Sequence, residues 1–235
     1  MTASQPHLQV SAGRQPDAGV LVLHGGREAS TAPVSAGQLS VLRLVPFATR
    51  IARRGKGRVA VARLRYRVRG WNATAGGQPD PVRDAEWALE QLTERFGGLP
   101  IGIVGHSMGG RTALRVGGHQ QVGAVVGLAP WLPPGEPVQQ LLDRQVLLVH
   151  GTADRMTDPR GTAAFADRLE QAGGAVSLVR IEGGKHAMLS RPGLWHELAT
   201  QFVLSAVLPG FQPSDRHDAP NFIHQVMSPP ARLTY

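Results

Sequence analysis

The sequence predicts an α/β fold, in which helices cover both faces of a mostly parallel, doubly wound sheet. Short apolar runs alternate along the chain with longer amphipathic segments, a pattern typical of parallel strands joined by helices. The 235 residues, 42% of them hydrophobic and 18% charged, suffice for one sizeable core. We therefore expect an α/β domain over residues 1–208 and a C-terminal extension over residues 209–235.

The predicted strands are short runs rich in valine, leucine and isoleucine. A first, isolated strand is expected at 7–11. Continuous apolar runs, as a strand buried on both faces requires, follow at 20–23, 58–64, 101–105, 122–128, 146–150 and 175–181.

The predicted helices have apolar residues at helical spacing and lie between these strands. They are expected at 38–54, 80–96, 111–117, 160–172 and 194–208. Pro46 indicates a kink in the first helix or a later start. A glycine-rich loop is predicted at 71–79. The extension at 209–235 has five prolines and one short apolar patch, which predicts an irregular segment that packs on the domain or a partner, or is disordered.

Composition excludes several classes of function. The chain has no cysteine, which rules out disulfides, thiolate metal sites and a cysteine nucleophile. No apolar run approaches the length of a membrane span, and the first residues lack the pattern of a signal peptide. We expect a cytoplasmic protein with no membrane partner.

The net charge of +8 is unevenly distributed. Residues 29–79 contain no Asp or Glu but ten basic residues: Arg43, Arg50, Arg53, Arg54, Lys56, Arg58, Arg63, Arg65, Arg67 and Arg69. This region can be interpreted as an anion-binding face, or as a solvated helix face in an arginine-biased sequence. The second interpretation is favoured, and no nucleic-acid partner is expected because no nucleic-acid-binding motif is present.

The most informative stretch is a G-x-S-x-G motif centred on Ser107. The apolar run at 101–105 ends in Gly105-His-Ser-Met-Gly109, and a helix-compatible segment follows at once. This is the pattern of a nucleophile elbow, a sharp turn between strand and helix that exposes the serine hydroxyl. Glycines flank the serine because a Cβ at either position would collide within the turn.

These motifs resemble the α/β-hydrolase superfamily, with similarity over about residues 18–208. Further matching segments occur in the expected order: VLVLHGG at 20–26, VLLVHGTAD at 146–154 and GGKH at 183–186. The resemblance implies a triad in the order Ser107, Asp154, His186. Ser107 would be the nucleophile and His186 the base. Asp154 would orient that base.

Other candidates for the triad have simpler explanations. Asp158 is followed by a proline, and the pair is typical of a helix N-cap and first turn. His24 and His150 end strands and are expected to bond neighbouring loop backbone. His106 lies inside the elbow and inherits no role from Ser107, and His196 is expected on a helix as a surface or packing residue.

The resemblance also implies an oxyanion hole and no cofactor. One donor would be the backbone N–H of Met108, and the second that of Gly26, with Arg27 as the alternative register. No set of residues has metal-ligand spacing, so neither a metal nor an organic cofactor is expected.

The stretch between the strands at 122–128 and 146–150 is too short for the cap domain that usually inserts there. The sequence therefore predicts an open site. Trp131 resembles a tryptophan beside the cleft of capless dienelactone-hydrolase-like and cutinase-like enzymes, where it would be an apolar wall; simple packing is an equal alternative. Dienelactone hydrolases use a cysteine nucleophile and cutinases are typically secreted, so neither fits closely.

The predicted activity is hydrolysis of a small-molecule ester by a capless serine esterase. The alternatives are hydrolysis of a thioester or amide by the same triad, and a non-catalytic binding protein on this fold.

Overall fold

A mostly parallel sheet forms the centre of the computed structural model, which describes residues 5–73, 77–214 and 222–235. Among these residues the sheet has eight strands in the order β1-β3-β2-β4-β5-β6-β7-β8. The strands are β1 His7–Ser11, β2 Ala18–Leu23, β3 Val59–Arg65, β4 Ile101–His106, β5 Val122–Leu128, β6 Gln145–Gly151, β7 Ala175–Ile181 and β8 Ala231–Thr234. Only β1, at one edge, runs antiparallel to its neighbour. The predicted fold class is confirmed.

Helices cover both faces of the sheet. They are α1 Leu39–Leu42, α2 Val45–Gly55, α3 Asp80–Phe96, α4 Met108–Val116, α5 Pro159–Gln171, α6 Pro192–Val207 and α7 Phe222–Val226. Helices α3, α4 and α5 pack on one face, and α2 and α6 on the other. Successive strand residues alternate between these two cores: Ile103 faces the first and Val104 the second.

The helix predicted at 38–54 is two helices, α1 and α2. Pro46 lies in the first turn of α2, where its missing N–H removes no helical hydrogen bond. The later start that the proline indicates is therefore what the chain adopts, and α1 is a separate short turn before it.

The C-terminal extension differs from the irregular segment predicted. Strand β8 pairs in parallel with β7 and extends the sheet by one strand. The Ser177 hydroxyl donates to the Val226 carbonyl oxygen at 2.7 Å, which ties the buried end of α7 to the sheet. Residues 215–221 of the extension and 74–76 of the predicted glycine-rich loop lie outside the described part.

The sheet edge at the carboxyl ends of the parallel strands carries no cap. Between β5 and β6 the chain forms only loop and one short 3-10 helix, Gln139–Leu141. The capless architecture predicted from the sequence is confirmed. Of the helices in the described ranges, none combines the length and apolarity that a membrane crossing needs. The cytoplasmic location stays a prediction.

Several side chains of the basic region bind acidic groups of the protein itself. The Arg58 side chain donates to Asp17 at 2.6 Å, and Arg67 Nε donates to the buried Asp84 carboxylate at 2.5 Å. These contacts join the region to neighbouring segments of the chain.

Candidate active site

Ser107 lies at the sharp turn between β4 and α4. Its backbone has φ 57° and ψ −119°, a conformation that L residues rarely adopt. A Cβ at Gly105 would collide with the carbonyl oxygen of Gly109, and one at Gly109 with that of Leu23. The Ser107 N–H donates to the Leu128 carbonyl oxygen at 3.0 Å, which fixes the turn against β5. These glycines allow the strained turn that lifts the serine hydroxyl above the sheet.

Three side chains from separate loops meet above the carboxyl ends of the strands. Ser107 follows β4 directly, Asp154 lies three residues after β6, and His186 lies five after β7. The Ser107 Oγ is 3.1 Å from His186 Nε2, and His186 Nδ1 is 2.8 Å from Asp154 Oδ2. An imidazole held in this way can take the hydroxyl proton at one nitrogen while the carboxylate holds the other.

Hydrogen bonds keep the carboxylate of Asp154 in its ionised form. Burial alone would raise the pKa of this group. Hydrogen bonds from His150, from His186 and from the backbone N–H groups of Thr157 and Met156 outweigh burial and hold the pKa of Asp154 well below its usual range. A permanently charged carboxylate stabilises the positive imidazolium that forms when His186 accepts a proton.

His150 lies directly beneath Asp154. Its Nε2 is 3.2 Å from Asp154 Oδ2, and its Nδ1 is 2.7 Å from Thr162 Oγ1. For Nε2–H to donate to the carboxylate, Nδ1 must accept from the Thr162 hydroxyl. The prediction that His150 bonds loop backbone is wrong, because the turn after β6 folds Asp154 back over the ring. A spacing of four residues indicates a contact within a helix but not across the end of a strand, so the sequence carries no signal for this one.

His106 and His24 are both buried beside the site. His106 Nε2 donates to the carbonyl oxygen of His186 at 3.0 Å, so it holds the loop that carries the candidate base. His24 Nδ1 donates to the Gly25 carbonyl oxygen at 2.6 Å and its Nε2 accepts from the Tyr66 N–H at 3.3 Å, so its predicted bonding to backbone is confirmed. Burial lowers the pKa of His106 to about 3 and that of His24 to about 4.

These two neutral histidines predict a protein that loses stability in mild acid. The unfolded chain binds protons at these rings below about pH 6.5, while the folded chain does not until pH falls to the lowered pKa values. Each ring is therefore expected to cost about 2 kcal/mol of unfolding free energy between about pH 7.5 and pH 4.5. Urea unfolding at both pH values should show a smaller loss for His106→Gln than for the wild type. The exposed His224→Gln is the control, and an unchanged loss in His106→Gln would contradict the explanation.

Two backbone N–H groups beside Ser107 are unused within the described part of the chain, those of Met108 and Gly26. A Cβ at Gly26 would collide with the Met108 side chain, so the two segments are in contact. The alternative donor Arg27 is not available, because its N–H donates to the Arg69 carbonyl oxygen at 2.8 Å. This pairing favours Met108 and Gly26 as the candidate oxyanion donors.

The remaining rivals have structural roles. Asp158 Oδ1 accepts from the Arg160 N–H at 2.9 Å as the N-cap of α5, as predicted. The ring of His196 packs edge-on against Phe47, with centroids 4.3 Å apart, so it is a packing residue. Within the described ranges, no group of three or more His, Cys, Asp or Glu is placed to hold a metal ion.

Trp131 lies between the elbow and a cleft of about 580 Å³. Its backbone N–H donates to the Ser107 carbonyl oxygen at 3.1 Å, and its half-buried ring forms part of the cleft wall. The Arg111 guanidinium lies between this ring and that of Trp71, at 4.4 and 3.9 Å from their centroids. Arg111 also donates to the buried Glu136 at 2.7 Å. Sequence reasoning missed this cluster, because its four members come from three distant segments with no shared motif.

Comparisons with known proteins identify the family and the fold of the chain. The model of the family described as serine aminopeptidase, S33 matches residues 14–146, a span that contains Ser107 and ends before Asp154. None of the proteins with curated descriptions matches the sequence.

Many solved structures share the fold. XC6422 from Xanthomonas campestris, described as an α/β serine hydrolase without lid, superposes with a TM-score of 0.64 at 19% identity, over 90% of this chain and 95% of that one. Est1E from Butyrivibrio proteoclasticus, solved with ferulic acid, gives 0.63 at 14% identity, over 86% and 95%. A puromycin-hydrolyzing peptidase of Mycobacterium tuberculosis gives 0.60 at 19% identity, over 89% of this chain and 38% of that one. Likeness at such identities concerns the fold alone. Since the family model covers more than half of the chain, the chain belongs to the serine aminopeptidase S33 family and is a serine hydrolase of the α/β-hydrolase fold.

Proposed function

We propose that the chain hydrolyses carboxylic esters through an acyl-enzyme intermediate on Ser107. The observation that carries the proposal is the unbroken series of hydrogen bonds from Ser107 Oγ through His186 to the ionised Asp154. The unused backbone N–H groups of Met108 and Gly26 lie beside the hydroxyl and can stabilise the oxyanion that forms when the serine attacks.

In the acylation step, Ser107 Oγ attacks the ester carbonyl carbon while His186 Nε2 takes the hydroxyl proton. The carbonyl oxygen becomes an oxyanion and accepts hydrogen bonds from the Met108 and Gly26 N–H groups. Collapse of this intermediate breaks the bond to the alcohol oxygen, which leaves with the proton from His186. The acyl group stays on Ser107.

In the deacylation step, water takes the place of the alcohol. His186 Nε2 accepts a proton from the water as it attacks the acyl carbon, and the same oxyanion forms again. The proton then returns to Ser107 Oγ as the carboxylic acid leaves. Asp154 keeps the imidazole in one tautomer through both steps, because its Oδ2 accepts from Nδ1.

The lining of the cleft favours an ester substrate over a peptide that would be bound by its N-terminal ammonium group. Its lining includes the apolar side chains of Trp131, Leu132 and Met156. An aminopeptidase needs an anionic group for the substrate ammonium. Asp158 is the one carboxylate among the described residues that line this cleft, and it already caps α5. Amide hydrolysis is the second candidate, since the description of the family names a peptidase; thioester hydrolysis uses the same steps.

Comparing substrates that differ in the leaving group tests the proposal. We expect turnover of p-nitrophenyl acetate, slower turnover of alanine p-nitroanilide, and loss of both in Ser107→Ala. Faster cleavage of the anilide than of the ester would favour the peptidase instead. Failure to cleave any ester, thioester or amide would favour a binding protein that does no chemistry.

A further inference from the structure

The cleft beside the candidate triad is a groove along one face of α5. Gly161, Ala164, Phe165 and Arg168 line it, and their spacing of three, four and seven residues places them in one stripe of the helix. The segment 131–135 forms the opposite wall. From Gly161 to Arg168 the stripe is about 10 Å long at 1.5 Å per residue. The groove therefore extends along the helix over a length that can take an extended chain.

One end of the groove adjoins the reacting groups. Trp131 lines it, and the backbone N–H of Trp131 donates to the Ser107 carbonyl oxygen at 3.1 Å. Thr157 also lines it, and its hydroxyl is 3.1 Å from His186 Nδ1. The Ser107 backbone and the His186 imidazole therefore lie beside this end of the groove.

Arg168 lies at the other end. Its Nη1 donates to the Glu136 carbonyl oxygen at 2.8 Å, and its guanidinium lies over Phe165 at 5.6 Å from the ring centroid. Within the described ranges no carboxylate is paired with it, since the Glu136 carboxylate binds Arg111 and Arg115. The far end thus has a half-buried cation with donors to spare.

The acidic side chains near Arg168 are engaged elsewhere. Asp167 and Glu170, on the outer side of α5, both pair with Arg232. Asp158 lines the groove, but it lies ten residues earlier and so about 15 Å away along the helix. The polarity of the groove therefore runs from an apolar middle to a positive far end.

We propose that this groove is the acyl subsite, and that it binds an extended apolar acyl group of medium length which ends in a carboxylate. The inference rests on the proposed ester hydrolysis and names its substrate class. The methylene groups would lie against Phe165 and Ala164, and the terminal carboxylate would accept hydrogen bonds from Arg168. A chain of roughly eight carbons fits the length of the stripe.

Matched p-nitrophenyl esters test this selectivity: the acetate, the octanoate and the mono-ester of suberic acid. The octanoate should exceed the acetate in kcat/KM by at least about 30-fold, because each buried methylene is worth about fourfold. The suberate mono-ester should exceed the octanoate by about five- to tenfold, the gain from a partly exposed ion pair.

Two variants distinguish the contact of Arg168 with the carboxylate from the apolar contacts of the methylene groups. Arg168→Gln should remove the preference for suberate and leave the octanoate rate, whereas Arg95→Gln, which removes an exposed charge on α3, should keep it. Ala164→Trp should fill the groove and abolish the advantage of both long esters over the acetate. Gln171→Trp, exposed on the same helix and outside the groove, is its control.

Calorimetry on Ser107→Ala gives a readout independent of turnover. This variant should bind suberate about five- to tenfold more tightly than octanoate, and the additional change Arg168→Gln should abolish the difference. Equal binding of the two acids, or a suberate preference that persists without Arg168, would overturn the inference. If no ester is cleaved while suberate binding follows Arg168, the proposed activity fails and the groove assignment stands.

Discussion

Replacing Ser107 by alanine is expected to lower kcat for p-nitrophenyl acetate by about 10⁵-fold with little change in KM. The alanine removes the atom that forms the acyl bond, while the walls of the cleft and the N–H groups of Met108 and Gly26 remain. In a serine protease with the same triad on an unrelated fold, removing the nucleophile lowers kcat by about 10⁶-fold. The oxyanion donors and substrate binding then still give a rate about 10³-fold above that in water. Steady-state kinetics over a range of ester concentrations measures both constants.

Ser190→Ala is the matched control, because this exposed serine follows β7 at the same end of the molecule. It should retain wild-type kinetics. The Ser107→Ala protein should also keep its melting temperature, since alanine accepts the strained φ of 57° no better and no worse than serine. Activity that survives in Ser107→Ala would mean that a different group attacks the substrate.

Asp154→Asn is expected to lower kcat by about 10⁴-fold. An amide presents a donor as well as an acceptor, so it can no longer fix the Nδ1–H tautomer of His186. It also leaves the imidazolium without its counter-charge. The measurement is kcat for the ester, compared with Asp158→Asn, which alters the rival carboxylate at the N-cap of α5. That change should cost far less activity and little stability, because asparagine caps a helix about as well as aspartate.

The Asp154 variant also has a pH signature. The pKa of Asp154 is lower in the folded chain than in the unfolded one, so its charge stabilises the fold above about pH 4 and this contribution disappears as pH falls further. Asp154→Asn should therefore melt below the wild type at neutral pH, and the gap should begin to narrow only as pH falls below about 4, toward the lowered pKa of the folded chain. A larger loss of activity in Asp158→Asn than in Asp154→Asn would contradict the assignment of the orienting carboxylate.

The parts of the site that the sequence predicts are those whose signal is local. Ser107 lies in a motif in which both flanking glycines are required by the turn itself. Asp154 and His186 follow predicted strands, and the carboxyl ends of parallel strands meet at one edge of the sheet. Strand and helix positions could be predicted in the same way, because the period of apolar residues differs between the two structures.

What the sequence does not indicate depends on contacts between distant segments. The position of Arg111 between Trp71 and Trp131, with Glu136 as its partner, joins three segments that no spacing rule relates. Strand β8 has four residues, too few for an alternating pattern to stand out, and it exists because β7 offers an unpaired edge. The contact of His150 with Asp154 required knowledge of how the turn between them folds.

Labelling with a fluorophosphonate probe, followed by mass mapping of the modified peptide, tests most directly whether these side chains form a working nucleophile. Such a probe phosphonylates a serine only when a base withdraws its proton and donors hold the developing charge. We predict one modification, on Ser107, that is lost in His186→Ala although the serine is still present. A protein that remains unlabelled, or that is labelled elsewhere, would contradict the triad.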